Sequence, residues 1–404
     1  MNRTISKYLS RKIKFDNFII SAPSHDLGII VVIPSFNEKS ITETLIAISV
    51  CDYPNCDVEV IVSINAAANS SEEILAINRE TYNIVAKFDK HPNWITFHAI
   101  LNNELPTKKA GVGLGRKIGM DEAIKRFMHL EKENGIIVCF DADSKCTTNY
   151  LYEIQDFFKT TNFKSCSINY EHPIDGEEFT DETYNSIIHY ELHLRYYIAM
   201  QKWCGLPFAM HTVGSSMACT VDAYCAIGGM NQRKAGEDFY FIHKLIKYGY
   251  HGELNSTSVI PSPRISDRVP FGTGRAVGEM IEGKKDHFYT YNPRSFESVK
   301  WLYDNLNRIY EQDQDIQEQL PISIKSFFKI SDTFSKIVEI KNNTSDFKNF
   351  ERQFWQYFDA FQLMKYLHYL RVELYPDVPV VIAINQSGIG KSNDAKKLLI
   401  ELRR

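Results

Sequence analysis

Between Leu27 and Lys159 short β-branched apolar runs alternate with segments of helical length, and that alternation limits the chain to few folds. Ile29–Pro34, Val58–Ile64, Ile95–Leu101 and Ile136–Phe140 read as strands. Ser40–Val50, a segment beginning at Ser71–Arg79, Gly115–Leu130 and Tyr150–Lys159 read as helices. Strands alternating with helices build βαβ units, so the expected class is α/β with a mostly parallel sheet. Beyond residue 160 the rhythm changes. Ser165–Tyr170 and Val213–Val221 read as strands, Asp181–Met200 as a long aromatic-rich helix and Glu237–Lys247 as a further helix. From about Phe296 the pattern is helical: Val299, Leu302, Leu306 and Ile309 repeat at three and four, as do Phe354, Phe358, Phe361, Met364 and Leu367. The expected organisation is a polar lead-in over 1–25, an α/β domain over 26–290 and a helical region over 296–404. Glu311–Gln319 is read as a linker or exposed loop.

The richest stretch is Gly135-Ile-Ile-Val-Cys-Phe-Asp-Ala-Asp143, where a buried-strand run ends in Asp141 and Asp143. Open α/β sheets present ligands to a crevice at their strand ends. Residues i and i+2 of an extended segment point to one side. Two carboxylates aimed together repel unless a cation stands between them. Asp141 and Asp143 therefore suit Mg²⁺ or Mn²⁺ shared with substrate phosphates, although acids after a strand also serve as turn and cap residues.

Other segments carry related chemistry. The first strand ends Pro34-Ser35-Phe36-Asn37-Glu38, a turn that suits a nucleoside or a plain βα connection. Asn65, at the end of the second strand, offers a donor and an acceptor to a base edge, or serves as a turn residue. Lys108-Lys109-Ala-Gly111-Val-Gly113-Leu-Gly115-Arg116-Lys117 reads as a glycine-rich basic loop before a helix, where Arg116 would bind a diphosphate. Gly236-Glu237-Asp238 opens a helix; one of its acids would take a proton from an attacking hydroxyl, while a cap explains a single acid. Arg264, Arg268 and Arg275 crowd a loop with Gly272 and Gly274 that would close over phosphates. Tyr196, Tyr197, Trp203 and Phe208 read as core in preference to an acceptor platform. Ser387-Gly388-Ile389-Gly390-Lys391-Ser392 follows the strand-like run Val380–Ile384, but Asn385 stands where a P-loop needs glycine, so nucleotide hydrolysis is rejected there.

Composition narrows the partners. A net charge of -4 gives no basic field for nucleic acid. No run approaches the roughly twenty apolar residues that span a bilayer. Arg3, Lys7, Arg11, Lys12 and Lys14 precede no apolar core of a secretory signal. The eight cysteines form no C-x-x-C pair and read as reduced core thiols. The expected location is cytoplasmic, with peripheral attachment at the inner face of the membrane as its variant.

Taken in order over roughly residues 27–280, Pro34-Ser35-Phe36-Asn37-Glu38, Gly115-Arg116-Lys117-Ile118-Gly119, Asp141-Ala142-Asp143 and Gly236-Glu237-Asp238 resemble the motifs of a family 2 glycosyltransferase with the GT-A fold. The resemblance implies a nucleotide-sugar donor (a UDP- or GDP-sugar), Mg²⁺ or Mn²⁺, and transfer to an acceptor hydroxyl; the acceptor is left open, with a cell-envelope glycan or lipid-linked intermediate as candidates. By the same resemblance, Asp238 is the base of an inverting displacement with Glu237 beside it. Pro34, Ser35, Asn37, Glu38, Asn65, Arg116, Asp141 and Arg268 bind donor, Asp143 and Asp141 hold metal, and His211 or His251 is a candidate third ligand. Ile64 and Asn65 stand where the family usually has a base-binding acid, and Q-x-x-R-W is absent. The alternatives are a nucleotidyltransferase, which would carry glycine and basic residues straight after the first strand, and a non-enzymatic nucleotide-sugar-binding scaffold.

Overall fold

The computed structural model describes residues 3–13, 17–268, 272–283, 288–311 and 316–404, without the side chains of 316–317. Lys14 and residues 269–271 of the arginine segment lie outside the described residues, as does much of the polar stretch Glu311–Gln319, of which Ile316–Gln319 is helical. Two compact units form: Met1–Pro173 with Thr212–Arg275, and Ile174–His211 with Ala276–Arg404.

The first unit is built on strands β1 (Leu27–Ser35), β2 (Asp57–Ala67), β3 (Ile95–Leu105), β4 (Ile136–Cys139), β5 (Lys145–Cys146), β6 (Ser165–Tyr170), β7 (Met217–Thr220) and β8 (His251–Ile260). They form one eight-stranded sheet in the order β3-β2-β1-β4-β7-β6-β8-β5. β1 pairs parallel with β2 and β4, β2 with β3, and β6 with β8. β7 runs antiparallel to β4 and β6, and β5 to β8. With the helices packed on this sheet and a helical C-terminal region, this is the α/β, GT-A-type mixed and mostly parallel architecture expected. The chain leaves β1 for β2 on one side and returns to β4 on the other, so the strand order switches between β1 and β4. Open sheets bind ligands beyond the carboxyl ends of strands at such a switch. Val32 pairs with Cys139, which brings Pro34 and Ser35 alongside Phe140 and Asp141.

Helices of this unit are α1 (Arg3–Lys12), α2 (Ile41–Ser49), α3 (Glu72–Ala86), α4 (Val112–His129) and α5 (Tyr150–Thr160). In the second unit lies α6 (Asp181–Cys204); α7 (Val221–Ala226) and α8 (Glu237–Tyr248) return to the first. α4 starts at Val112, three residues before the expected Gly115, so Gly113 too is inside the helix and not in a loop before it. Their role is close approach. A Cβ at Gly115 would lie 2.4 Å from Asn65 Nδ2, and one at Gly119 2.5 Å from Val32 Cγ1. The missing side chains let α4 lie directly on β1 and β2. Lys117 and Asp121 pair at 2.8 Å in the core, where Tyr8 of α1 donates to Asp121 and accepts from Lys117.

In the second unit α6 is capped by Thr180 and ends at Gly205 in the left-handed region (φ 85). Tyr196 is fully buried and donates to the Tyr291 carbonyl at 2.9 Å, and Phe208 is buried as expected, while Trp203 is half exposed. Val299, Leu302, Leu306 and Ile309 are all buried. Val380–Gln386 is a helix, where a strand-like run was expected; short apolar runs do not distinguish the two by periodicity. Among the described residues no helix is long and apolar enough to cross a membrane.

Gly119→Val tests how closely α4 is seated. Its branched side chain collides with Val32, and overpacking of this kind costs about 1–3 kcal/mol. Chemical denaturation reads the loss; an unchanged midpoint would mean α4 is not held against β1.

Candidate active site

The turn after β1 is braced from α3. Asn37 sits in the left-handed region (φ 51), which asparagine tolerates, and its N–H donates to Asn78 Oδ1 at 3.0 Å. Asn78 Nδ2 donates to the Asn65 carbonyl and to Asn103 Oδ1, and Thr81 Oγ1 donates to the Glu38 carbonyl. Ser35 Oγ and Asn37 Oδ1 are buried with no partner among the described residues. Buried polar atoms are usually paired, so this turn retains hydrogen-bonding capacity for a ligand. Asn65 donates its amide to the Ser35 carbonyl at 3.3 Å and is buried under Gly115, so it braces the turn. Pro34 is buried at the end of β1.

The D-A-D segment is fixed from α2, where Thr44 Oγ1 donates to the Ala142 and Ser144 carbonyls at 2.9 and 3.0 Å. Asp141 and Asp143 remain partly exposed, at 37% and 24% of their side chains. Each has an arginine partner. Arg116 Nη2 donates to Asp141 Oδ1 at 2.5 Å, and its Nη1 pairs with Glu237. Arg264 Nη2 lies 2.7 Å from Asp143 Oδ2 and also pairs with Glu38, and Arg268 Nη2 lies 3.6 Å from the same Asp143 oxygen.

Arg116 joins the two acidic motifs. It is 3% exposed, and a Cβ on Gly214 would lie 2.4 Å from its Nη2, so the segment at Gly214 covers the guanidinium. Burial works against its charge, but Asp141 and Glu237 outweigh it and hold the guanidinium protonated. Gly236, in the left-handed region (φ 69), turns the chain into α8 and sets Glu237 and Asp238 in its first turn. Burial pushes Glu237 up to about 7, against the pull of Arg116 and with the help of Asp238. Burial likewise raises Asp238, again opposed by Arg116. One guanidinium does not balance three neighbouring acids, and a proton is retained near neutrality. Asp238 Oδ1 accepts from the Phe239 N–H at 2.7 Å.

Glu38 is fully buried at its side chain, accepts from the Ser40 N–H at 2.9 Å and pairs with Arg264 and Arg268. Burial raises its pKa, but Arg264 and Arg268 hold it below the ordinary carboxylate range. Asp143 moves the other way: burial and Asp141 raise it more than Arg264 and Arg268 lower it. Arg268 Nη1 also donates to the Phe36 carbonyl at 3.0 Å.

Of the candidate cation ligands, the D-A-D pair lies together at the end of β4. Among the described residues no group of three His, Cys, Asp or Glu gathers as a metal site. His251 is excluded as the third ligand: its ring lies between Ser165 and Ser167, bonded to both hydroxyls, and burial drives its pKa down to about 3. His211 belongs to the second unit, where burial, Arg195 and Lys202 also lower it to about 3. Two partly exposed carboxylates fit Mg²⁺ or Mn²⁺ as hard oxygen donors, with phosphate and water completing the shell.

The structure thus gathers Pro34, Ser35, Asn37, Glu38, Asn65, Arg116, Asp141, Asp143, Glu237, Asp238 and Arg268 within one unit. Arg116 faces the acids Asp141 and Glu237, and Glu38 faces Arg264 and Arg268. Sequence reasoning missed Asn78, although a buried amide in line with Thr81 and Val85 on α3 was a signal. It also passed over the pairing of Arg264 with Glu38.

No family model matches the chain, and no curated protein matches it. Among solved structures it is similar to Staphylococcus aureus TarS 1–349 in complex with UDP-GlcNAc, at 15% identity over 82% of this chain and 91% of that one, with a TM-score of 0.41. It is also similar to the mannosyltransferase PcManGT from Pyrobaculum calidifontis in complex with GDP-Man and Mn²⁺, at 13% identity over 98% and 86%, with a TM-score of 0.37.

Arg116→Gln leaves Glu237 and Asp141 without their shared counter-charge, and removing one partner of a buried pair costs about 3–5 kcal/mol. Equilibrium unfolding would read this; a loss near zero would mean Arg116 does not hold the motifs together. Glu237 predicts a pH dependence of known sign. Its folded value lies above its ordinary 4.5, so its stabilising proton is fully bound below about 4.5 and lost as pH rises through about 7. Glu237→Gln should flatten the fall in stability across that window; an unchanged slope would reject the assignment.

Proposed function

We propose that the chain is a glycosyltransferase that moves a sugar from a UDP- or GDP-sugar to an acceptor hydroxyl, with inversion at the anomeric carbon. The observation that carries this reading is Arg116, which binds Asp141 of the D-A-D and Glu237 of the E-D pair. Motifs far apart in sequence form one site at the sheet's switch point.

The nucleoside enters at the turn after β1, where Ser35 Oγ and Asn37 Oδ1 are buried and unpaired. Asp141 and Asp143 would hold Mg²⁺ or Mn²⁺, which when bound supplies positive charge to the diphosphate. Arg264 and Arg268 stand beside Asp143 to balance the anion that departs. Asp238 takes the proton of the acceptor hydroxyl as its oxygen attacks the anomeric carbon. The bond to the diphosphate breaks on the opposite face, and its electron pair leaves with the diphosphate. Burial raises Asp238 toward working pH, which suits a base. Glu237 is tied to Arg116 and sets the position of Asp238 through their shared helical turn.

Asp238→Asn should reduce sugar transfer by about 10²–10⁴-fold while nucleotide binding persists, the usual range for loss of a general base. Near wild-type turnover would remove that assignment. Thermal stabilisation by UDP or GDP with Mn²⁺ supports the donor class, whereas stabilisation by nucleoside triphosphates alone would favour a nucleotidyltransferase.

A further inference from the structure

Glu38 and Asp143 share one pair of guanidinium groups, and they hold it unequally. Glu38 lies at the end of the β1 turn with its side chain fully buried. It takes Arg264 Nη1 at 3.0 Å, Arg264 Nη2, and Arg268 Nη1 at 3.1 Å. Asp143 is partly exposed and takes the same two arginines through one oxygen, at 2.7 and 3.6 Å. Bidentate bonds inside a desolvated site are the stronger ones. The buried acid therefore keeps its partners, and the shallow acid is the one that exchanges them. Arg264 Nε is buried without an acceptor among the described residues, leaving a donor for an incoming anion.

The charge balance gives this arrangement a consequence. Two acids and two arginines are neutral together. A divalent cation added at Asp143 alone leaves excess positive charge in a partly desolvated site. A diphosphate added alone leaves excess negative charge. Added together they come close to balance, because the arginines give up Asp143 and turn to the phosphate oxygens.

We infer that Arg264 and Arg268, anchored by Glu38, form a charge latch on Asp143 that makes cation and diphosphate bind as a pair. Glu38 is then a positioning residue that acts through both arginines. The inference rests on the donor class given under Proposed function, but its first test needs no nucleotide.

Mn²⁺ binding to the full chain is measured by electron paramagnetic resonance of the free ion and by calorimetry. Wild type should bind Mn²⁺ weakly alone and about tenfold or more tightly with UDP or GDP present; by linkage, Mn²⁺ tightens the nucleotide by the same factor. Arg268→Gln removes a competitor for Asp143 and should bind Mn²⁺ alone about tenfold more tightly than wild type, with smaller coupling. Glu38→Gln leaves both arginines to Asp143 and should weaken Mn²⁺ binding. The two variants thus move in opposite directions, which a shared folding defect would not produce, and circular dichroism checks that each is folded. Arg264→Gln, where folded, should follow Arg268→Gln. Unchanged or weaker Mn²⁺ binding by Arg268→Gln, with UDP or GDP still bound, overturns the latch alone. Failure of wild type to bind either nucleotide under any condition overturns the donor reading and the latch together.

Discussion

A buried arginine with acids on both sides sets the geometry of the site. Arg116 rises from α4, and α4 lies close to β1 and β2 because Gly115 and Gly119 present no side chain to them. From that position its guanidinium meets Asp141 beyond β4 and Glu237 at the start of α8. Gly214 covers it without displacing it. A larger residue at any of these glycines would move a buried charge away from its partners, and buried charges tolerate this poorly. The glycines and the arginine are therefore one device, in which close packing serves an electrostatic contact.

The D-A-D acids have separate counter-ions. Asp141 belongs with Arg116 and Glu237; Asp143 belongs with Arg264, Arg268 and Glu38. Two carboxylates side by side at a strand end suggest repulsion that a metal must relieve. Here guanidinium groups relieve it within the protein. A cation entering at Asp143 must compete with arginines, whereas Asp141 is held by an arginine that is nearly inaccessible. This difference between neighbours two residues apart follows from which element supplies each arginine: the core-facing side of α4 for one, the segment after β8 for the other.

Much of the frame was legible in the sequence, because β1 and β4 hold continuous apolar runs, as strands buried on both faces do, and β2 is rich in valine and isoleucine. The E-D pair was legible because glycine, then adjacent acids, then an amphipathic run mark a helix start. β8 was not, because Glu253, Asn255, Ser256, Thr257 and Ser258 hide its alternation among polar residues. Val380–Gln386 was assigned the wrong type because its run is too short to show a helical period. The start of α4 was placed three residues late because Gly111 and Gly113 imitate a loop, yet they lie at the mouth of the helix and inside it. The Glu38–Arg264 pair joins residues 226 positions apart, and nothing local announces such a contact.

Glu237 and Asp238 show how one turn of helix gives neighbouring acids different surroundings. Successive residues on a helix point about 100° apart, so a single guanidinium cannot serve both equally. Arg116 binds the Glu237 carboxylate directly, while Asp238 has the N–H of Phe239 and partial exposure. The bridge to Arg116 pulls Glu237 down and offsets part of the rise that burial gives it. Asp238 loses no salt bridge on taking a proton, and burial raises its pKa above the ordinary carboxylate value. Burial thus acts on both groups: it makes the pairing of Arg116 costly to lose, and it raises Asp238, the residue proposed as base.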